Sequence, residues 1–318
     1  MSDHSSARAK PFRYNWVTVP IVRGTRLTHY GIKTHFIEAG EGEPIILLHG
    51  GTGTGESAWS ETVPGLAGRF RAIGLDQIGF GHTDKPRIDS FQMQVDHVAG
   101  FVDAMGFERV GVVGQSTGGY VAAKYACDYP DRVFGLAMFN TSTVAHAMNI
   151  RLKEPSEGMR VMRDVDWTDR ESLKRSFDVI LHNKSRITDE LVDYKLAIQR
   201  LPGWTEARKA RDAYRAGIDK DPNQWQLFNL VNRLPALTVP SALIWGVEDR
   251  FAPVELGRRL HEVLPRTEYH EVANGSHHCF LDVPEVCNDL LLRFFSACLS
   301  RAGWANAPQL VGAGSPAS

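Results

Sequence analysis

Little in this sequence suits it to a metal, a redox couple, a polyanion or a bilayer. Its 318 residues include four cysteines, Cys127, Cys279, Cys287 and Cys298, and no two of them form a C-x-x-C pair. That spacing excludes the common zinc and thiol–disulfide motifs, and reduced, mostly buried thiols are expected. The formal net charge is −1, so no global field selects DNA, RNA or an anionic membrane. No apolar run approaches the roughly 18 residues of a membrane span. Met1 to Lys10 is polar and lacks the apolar core of a signal peptide. No internal repeat is visible, and the glycine-rich stretches match neither G-x-G-x-x-G nor G-x-x-x-x-G-K-S/T. The expectation is a soluble cytoplasmic protein that acts on a small molecule and needs no cofactor or metal. It has no nucleic-acid or membrane partner, and self-association is left open.

Short apolar runs separated by helical periods fill the first half. Ile45–Leu48, Arg71–Leu75, Val110–Val113 and Leu136–Phe139 read as strands, with helical periodicity between them, as around Val95, Val98, Phe101 and Val102. Strands apolar on both faces and spaced by helices indicate a parallel sheet covered on both sides. Between Asn140 and Pro240 strand-like runs vanish and charge rises. The sheet pattern resumes at Ala242–Trp245 and Tyr269–Val272. Ahead of it, Val17 to Glu38 reads as two antiparallel strands around a turn at Gly31. The class is therefore α/β: a mostly parallel, doubly wound sheet with an inserted helical cap. Residues 1–140 and 236–300 form the core, 141–235 the cap, and 301–318, rich in Gly, Ala, Ser and Pro, a flexible tail.

The sharpest motif is Gly114-Gln115-Ser116-Thr117-Gly118-Gly119, after an apolar strand and before a helical stretch. A nucleophile on so cramped a turn needs small neighbours, and a serine hydroxyl needs a base to take its proton. Two histidines, His277 and His278, follow the last strand. Asp249, at the end of the strand before it, is the acid that would fix the base's tautomer. The chain order Ser, Asp, His is that of α/β-hydrolases. A tetrahedral intermediate also needs two backbone donors; the amides of Thr117 and of Gly51, in the glycine-rich loop after an earlier strand, are the candidates. Asp76, within Asp76-Gln77-Ile78-Gly79-Phe80-Gly81-His82, is read as a structural turn residue.

With these residues placed, the chain resembles the meta-cleavage-product hydrolases, a branch of the α/β-hydrolase fold. The resemblance runs from about His35 to Phe295. It rests on His49-Gly50-Gly51, the Asp76–His82 stretch, the serine turn, Tyr129-Pro130-Asp131-Arg132, Ile187–Val192 and Trp245–Pro253. It implies cofactor-free hydrolysis of carbon–carbon bonds in ring-opened aromatic dienoates. The base of the wider fold stands four residues before an apolar residue and seven before a proline, so Leu281 and Pro284 select His277. The chain also departs from this branch. Gln115 stands where an asparagine precedes the nucleophile, and Glu61 falls near a second asparagine after the loop tryptophan. Lys195 is the nearest match to a carboxylate-gripping cap arginine, and His278 replaces a tryptophan. The Gly-Pro-Gly of the oxyanion loop has become Thr52-Gly53-Thr54-Gly55.

These departures make a carboxylic ester or lactone the expected substrate of Ser116, Asp249 and His277. Carbon–carbon hydrolysis of a dienoate is the alternative. A ligand-binding receptor on the same fold is a further one. Perhydrolase or cofactor-free oxygenase chemistry completes the range. Gln115, Glu61, Lys195 and His278 are the expected substrate-contacting side chains.

Overall fold

The computed structural model describes residues 10–20, 31–87 and 90–301. Eight strands form one sheet: β1 (Arg13–Val19), β2 (Ile32–Ala39), β3 (Pro44–Leu48), β4 (Arg71–Leu75), β5 (Val110–Gln115), β6 (Val133–Phe139), β7 (Ser241–Gly246) and β8 (Glu268–Val272). Their spatial order is β1-β2-β4-β3-β5-β6-β7-β8. β2 is antiparallel to β1 and β4, and the pairings from β4 across to β8 are parallel. All six runs read as parallel strands belong to this sheet. The antiparallel pair expected over Val17–Glu38 is β1–β2, with Val19 opposite Ile32. Residues 21–30 and the tail from 302 lie outside the described residues.

Helices α1 (Gly55–Trp59), α2 (Thr62–Leu66), α3 (Phe91–Ala104) and α4 (Thr117–Asp128) precede β6. Between β6 and β7 come α5 (Ser142–Ala147), α6 (Glu157–Arg163), α7 (Arg170–Ile180), α8 (Asp189–Gln199), α9 (Trp204–Gly217) and α10 (Pro222–Phe228). α11 (Val254–Val263), α12 (Cys279–Asp282) and α13 (Pro284–Arg301) follow. Several begin where a short polar side chain satisfies a free amide. Ser90 accepts from Met93 N, Asp169 from Ser172 N and Thr188 from Leu191 N.

Successive strand side chains point to opposite faces, and this splits the core into two layers. Ile46, Leu48, Val112, Leu136 and Met138 pack with Val98, Phe101, Tyr120 and Val121 of α3 and α4. Ile45, Leu47, Val113, Ala137 and Phe139 face Trp59, Val63, Leu291 and Phe295 of α1, α2 and α13. Cys279, Cys287 and Cys298 are buried free thiols and Cys127 is partly buried. Among the described residues no helix is long and apolar enough to cross a membrane.

Asp76 ties the loops at the C-terminal rim together, as its turn motif suggested. It is fully buried, accepts Gly55 N at 2.6 Å and His82 N at 2.8 Å, and lies 2.9 Å from His35 Nδ1.

On the opposite face, Phe295 of α13 sits in a groove that the neighbouring strands leave open at Gly111 and Gly135. A Cβ at Gly111 would stand 2.8 Å from Phe295 Cε1 and 2.9 Å from Phe134 Cζ. Gly111→Val is therefore expected to lower stability by about 1–3 kcal/mol through overpacking. Chemical denaturation followed by tryptophan fluorescence checks it, and an unchanged midpoint would mean that the groove is not tightly filled.

Candidate active site

Each strand end along the rim delivers one element of the site. β5 turns sharply into α4 at Ser116, whose φ of 52° is unusual for a residue with a side chain and stores about 1–3 kcal/mol of strain. The turn is held from both sides: Ser116 N donates to Phe139 O at 2.9 Å and Thr141 Oγ1 donates to Ser116 O at 2.8 Å. Its closeness requires glycine. A Cβ at Gly114 would lie 2.2 Å from Gly118 O, and one at Gly118 would lie 2.3 Å from Leu48 O.

Asp249, beyond β7, is buried and fully engaged. Its Oδ1 accepts the amides of Phe251 and Ala252, each at 2.7 Å. Its Oδ2 accepts His277 Nδ1 at 2.8 Å and Asn140 Nδ2 at 2.7 Å. This network orients the carboxylate toward His277 and fixes the imidazole with Nδ1 as donor, leaving Nε2 to take a proton. Phe251 packs its ring 4.6 Å from that of His277. Ser116, His277, Gly51 and Thr117 all line one chamber of about 330 Å³. Thr117 opens α4, so its amide has no partner within the helix.

Of the two adjacent histidines, only His277 meets Asp249. His278 stacks between His277 and Phe280, at 5.8 and 5.3 Å. Burial, reinforced by His277 and Lys195, pushes its pKa well below the ordinary value, so it faces the chamber as a neutral ring. Gln115 also lines the chamber and donates Nε2 to His277 O at 3.2 Å.

Lys195 is buried in the chamber wall and donates Nζ to Thr52 O at 2.6 Å. Burial lowers its pKa to about 8. Glu61 requires a correction: it is not a chamber residue. Trp59 at the end of α1 is turned fully inward, and the chain beyond it moves to the outer surface, where Glu61 pairs with Arg186 at 3.0 Å. Trp167 and Trp204 line the chamber, whereas Trp225 packs against His146 and Phe228.

Two groups of residues were missed in the sequence. One is Asn140, the residue following β6. The other is a stripe on α9, Arg208, Arg211 and Arg215, spaced three and four apart so that all three reach the chamber. Arg211 is buried, donates Nη1 to Gly79 O at 2.8 Å and lies over the Phe80 ring at 3.8 Å. Burial, then the neighbouring Arg215, lowers its pKa to about 9. Arg215 donates Nη2 to Thr117 Oγ1 at 2.9 Å, and burial lowers its pKa. Arg208 pairs with Asp212 at 3.4 Å. Asp212 also lines the chamber and acts on Arg211 and Arg215 through space, but among the described residues no carboxylate is in ion-pair contact with Lys195, Arg211 or Arg215. The helical spacing of the stripe was the available signal, but basic residues on a charged helix ordinarily face solvent.

A second chamber, of about 500 Å³, meets the first at Ser116 and Thr117. Ile150, Leu152, Ile218 and Leu256 form the apolar part of its wall, and His146, Arg151, Lys153, Glu154 and Arg163 a polar part.

The chain matches the family described as alpha/beta hydrolase fold over residues 43–284. It is 29% identical over 272 residues to a 2-hydroxy-6-oxononadienedioate/2-hydroxy-6-oxononatrienedioate hydrolase of Paraburkholderia phymatum, covering 83% of this chain and 91% of that protein. It is 26% identical over 270 residues to a 2-hydroxy-6-oxo-6-(2'-aminophenyl)hexa-2,4-dienoic acid hydrolase of Metapseudomonas resinovorans, covering 84% and 88%. Among solved structures, the meta-cleavage product hydrolase of Pseudomonas fluorescens IP01, complexed with acetates, superposes with a TM-score of 0.69 at 26% identity, covering 84% of this chain and 95% of that one.

Two outcomes are expected from this geometry. His277→Ala and Ser116→Ala should each lower turnover at least roughly 10³-fold, because the triad acts as a unit, while His278→Ala should cost far less. Steady-state kinetics decide it, and a His278 variant worse than the His277 variant would reverse the assignment of the base. Separately, Asn140→Ala removes one charge-assisted hydrogen bond from Asp249, of the kind worth about 1.5–3 kcal/mol. It should reduce kcat by about tenfold or more with KM little changed; a wild-type kcat would show that Asn140 only fills space.

Proposed function

This chain belongs to the alpha/beta hydrolase fold family, and on that premise we propose that it is a serine-dependent carbon–carbon bond hydrolase of ring-opened aromatic acids. The observation that carries this reading is the pair Lys195 and Arg211, buried beside Ser116 with their hydrogen bonds going to the carbonyls of Thr52 and Gly79 and no carboxylate in ion-pair contact. A buried charge left uncompensated costs several kcal/mol, and an anionic substrate removes that cost on binding. Ester or lactone hydrolysis, the expectation from sequence, needs no group to hold a carboxylate, and gives Lys195 and Arg211 no occupant. The argument for an ester also leaned on Glu61 repelling an acid, and Glu61 lies outside the chamber. The named substrates of the relatives are dienoic acids and dioates, which carry one and two carboxylates.

In this proposal Lys195 and Arg211 hold the substrate carboxylate, with Gln115 and neutral His278 along the dienoate. The acyl portion extends into the second chamber, toward Ile150, Ile218 and Leu256. Once the substrate is in its ketonised form, Ser116 Oγ attacks the distal carbonyl carbon while His277 Nε2 takes the hydroxyl proton. The oxyanion lies against the Gly51 and Thr117 amides. Collapse breaks the carbon–carbon bond and sends the electron pair through the conjugated chain to the oxygen beside the carboxylate, where the cations stabilise it. His277 then returns its proton to that dienolate. Water, deprotonated by His277, cleaves the acyl-enzyme and releases the second acid.

The best ring-opened dienoate is expected to exceed the best neutral aryl or alkyl ester in kcat/KM by at least about tenfold. Side-by-side steady-state kinetics test it, and an ester that outran every dienoate would make the protein a simple esterase.

The pH profile gives an independent check. Lys195 is cationic below a pKa of about 8 and neutral above it. The kcat/KM for a carboxylate substrate should therefore fall as pH rises through that value, since kcat/KM reports the free enzyme. A neutral ester should show no such fall, and Lys195→Arg, which keeps its charge, should remove it.

A further inference from the structure

The guanidinium of Arg215 occupies a different place from the other two unpaired cations. Lys195 and Arg211 are fastened to the carbonyls of Thr52 and Gly79. Arg215 instead donates to the side chain of Thr117, the residue whose amide faces the reacting carbonyl in the proposed mechanism. It also lies against the second proposed donor: a Cβ at Gly51 would stand 2.8 Å from its Nη2 and 3.1 Å from its Nη1. The guanidinium carries five N–H donors in a planar fork, and the bond to Thr117 Oγ1 uses one of them. Phe91 lies 5.9 Å away on its ring face and adds no acceptor. Arg215 lines both chambers, which meet at Ser116 and Thr117. The remaining donors are therefore next to the point where negative charge develops during attack on a carbonyl.

We propose that Arg215 is a third, charged donor of the oxyanion hole, delivered to the sheet by α9 and aligned by its hydrogen bond to Thr117. The inference rests on acyl transfer at Ser116 and not on the identity of the substrate. It has a structural consequence. Two donors belong to the sheet's own loops, but the third comes from the helices between β6 and β7. Full stabilisation of the tetrahedral intermediate then exists only while α9 is seated over Ser116, which couples enclosure of the substrate to the chemical step. A charged donor in a water-poor site contributes more to the transition state than to a neutral ground state. Its loss should therefore appear in kcat rather than KM.

The test uses the full-length protein and p-nitrophenyl acetate, a substrate without a carboxylate, so it stands or falls separately from the dienoate reading. Removal of one oxyanion donor typically costs about 10²–10³ in turnover. Arg215→Met is expected to lower kcat for this ester by about 10²-fold with KM nearly constant. Phenylboronic acid, which becomes a tetrahedral anion on Ser116, should bind correspondingly more weakly. Arg215→Lys should recover part of both losses. Thr117→Val keeps the backbone amide but frees the guanidinium, and should lower kcat by at least about tenfold. Should Arg215→Met fail to fold, the lysine and valine variants carry the test, with the rate of Ser116 labelling by a neutral fluorophosphonate as a readout that needs no turnover. If Arg215→Met keeps wild-type kcat and boronate affinity on neutral ligands and only raises KM for carboxylate substrates, Arg215 is a carboxylate ligand and the proposal is wrong.

Discussion

The near-contact of three backbone segments at the end of the central strands is the constraint on which the site depends. β5, its following helix α4 and the end of β3 approach so closely that side chains at 114 and 118 would collide with carbonyl oxygens. This closeness lifts Ser116 onto a positive-φ turn and presents its hydroxyl above the sheet. It also sets the Thr117 amide at the helix start and brings the loop after β3, with Gly51, alongside. Strain at Ser116 persists because the hydrogen bonds from Thr141 and to Phe139 over-determine the turn. The parallel strands then bring their remaining ends to the same rim. Asn140 follows β6, Asp249 follows β7 and His277 follows β8, and their side chains meet in one hydrogen-bonded network.

Electrostatics divides the site into two parts with different sources. The sheet supplies an anion held by donors: Asp249 accepts four hydrogen bonds, which keep it directed at His277. The helices between β6 and β7 supply cations held only by neutral oxygens: Lys195 on Thr52 O, Arg211 on Gly79 O and Arg215 on Thr117 Oγ1. Burial depresses all three pKa values, the mark of charge kept where water is scarce. Asp76 lies near Lys195, and Asp212 near Arg211 and Arg215, but neither is in ion-pair contact with them. The proposed reaction draws on that contrast: acyl chemistry assigned to the sheet, and selection for an acidic substrate assigned to the helices.

The order of Ser116, Asp249 and His277, each after an apolar run, pointed to the fold and to the strand ends whose side chains meet at one rim. The determinants are local: strands apolar on both faces, glycines where backbone crowds, and a residue type at each strand end. Such signals are contiguous in the chain, so the sequence carries them. That His277 rather than His278 meets Asp249 was also legible, through Leu281 and Pro284. The lining of the chamber was not. Glu61 looked like a chamber residue because it follows Trp59, but the turn out of α1 carries it to Arg186 on the surface. Arg211 and Arg215 drew no reading, because nothing in their own helix says which face it buries. Asn140 had no reading at all, since its role exists only through Asp249, 109 residues away. The packing of α9 against the rim decides the places of Arg211 and Arg215. That packing is a long-range balance of burial and charge that no local stretch of sequence encodes.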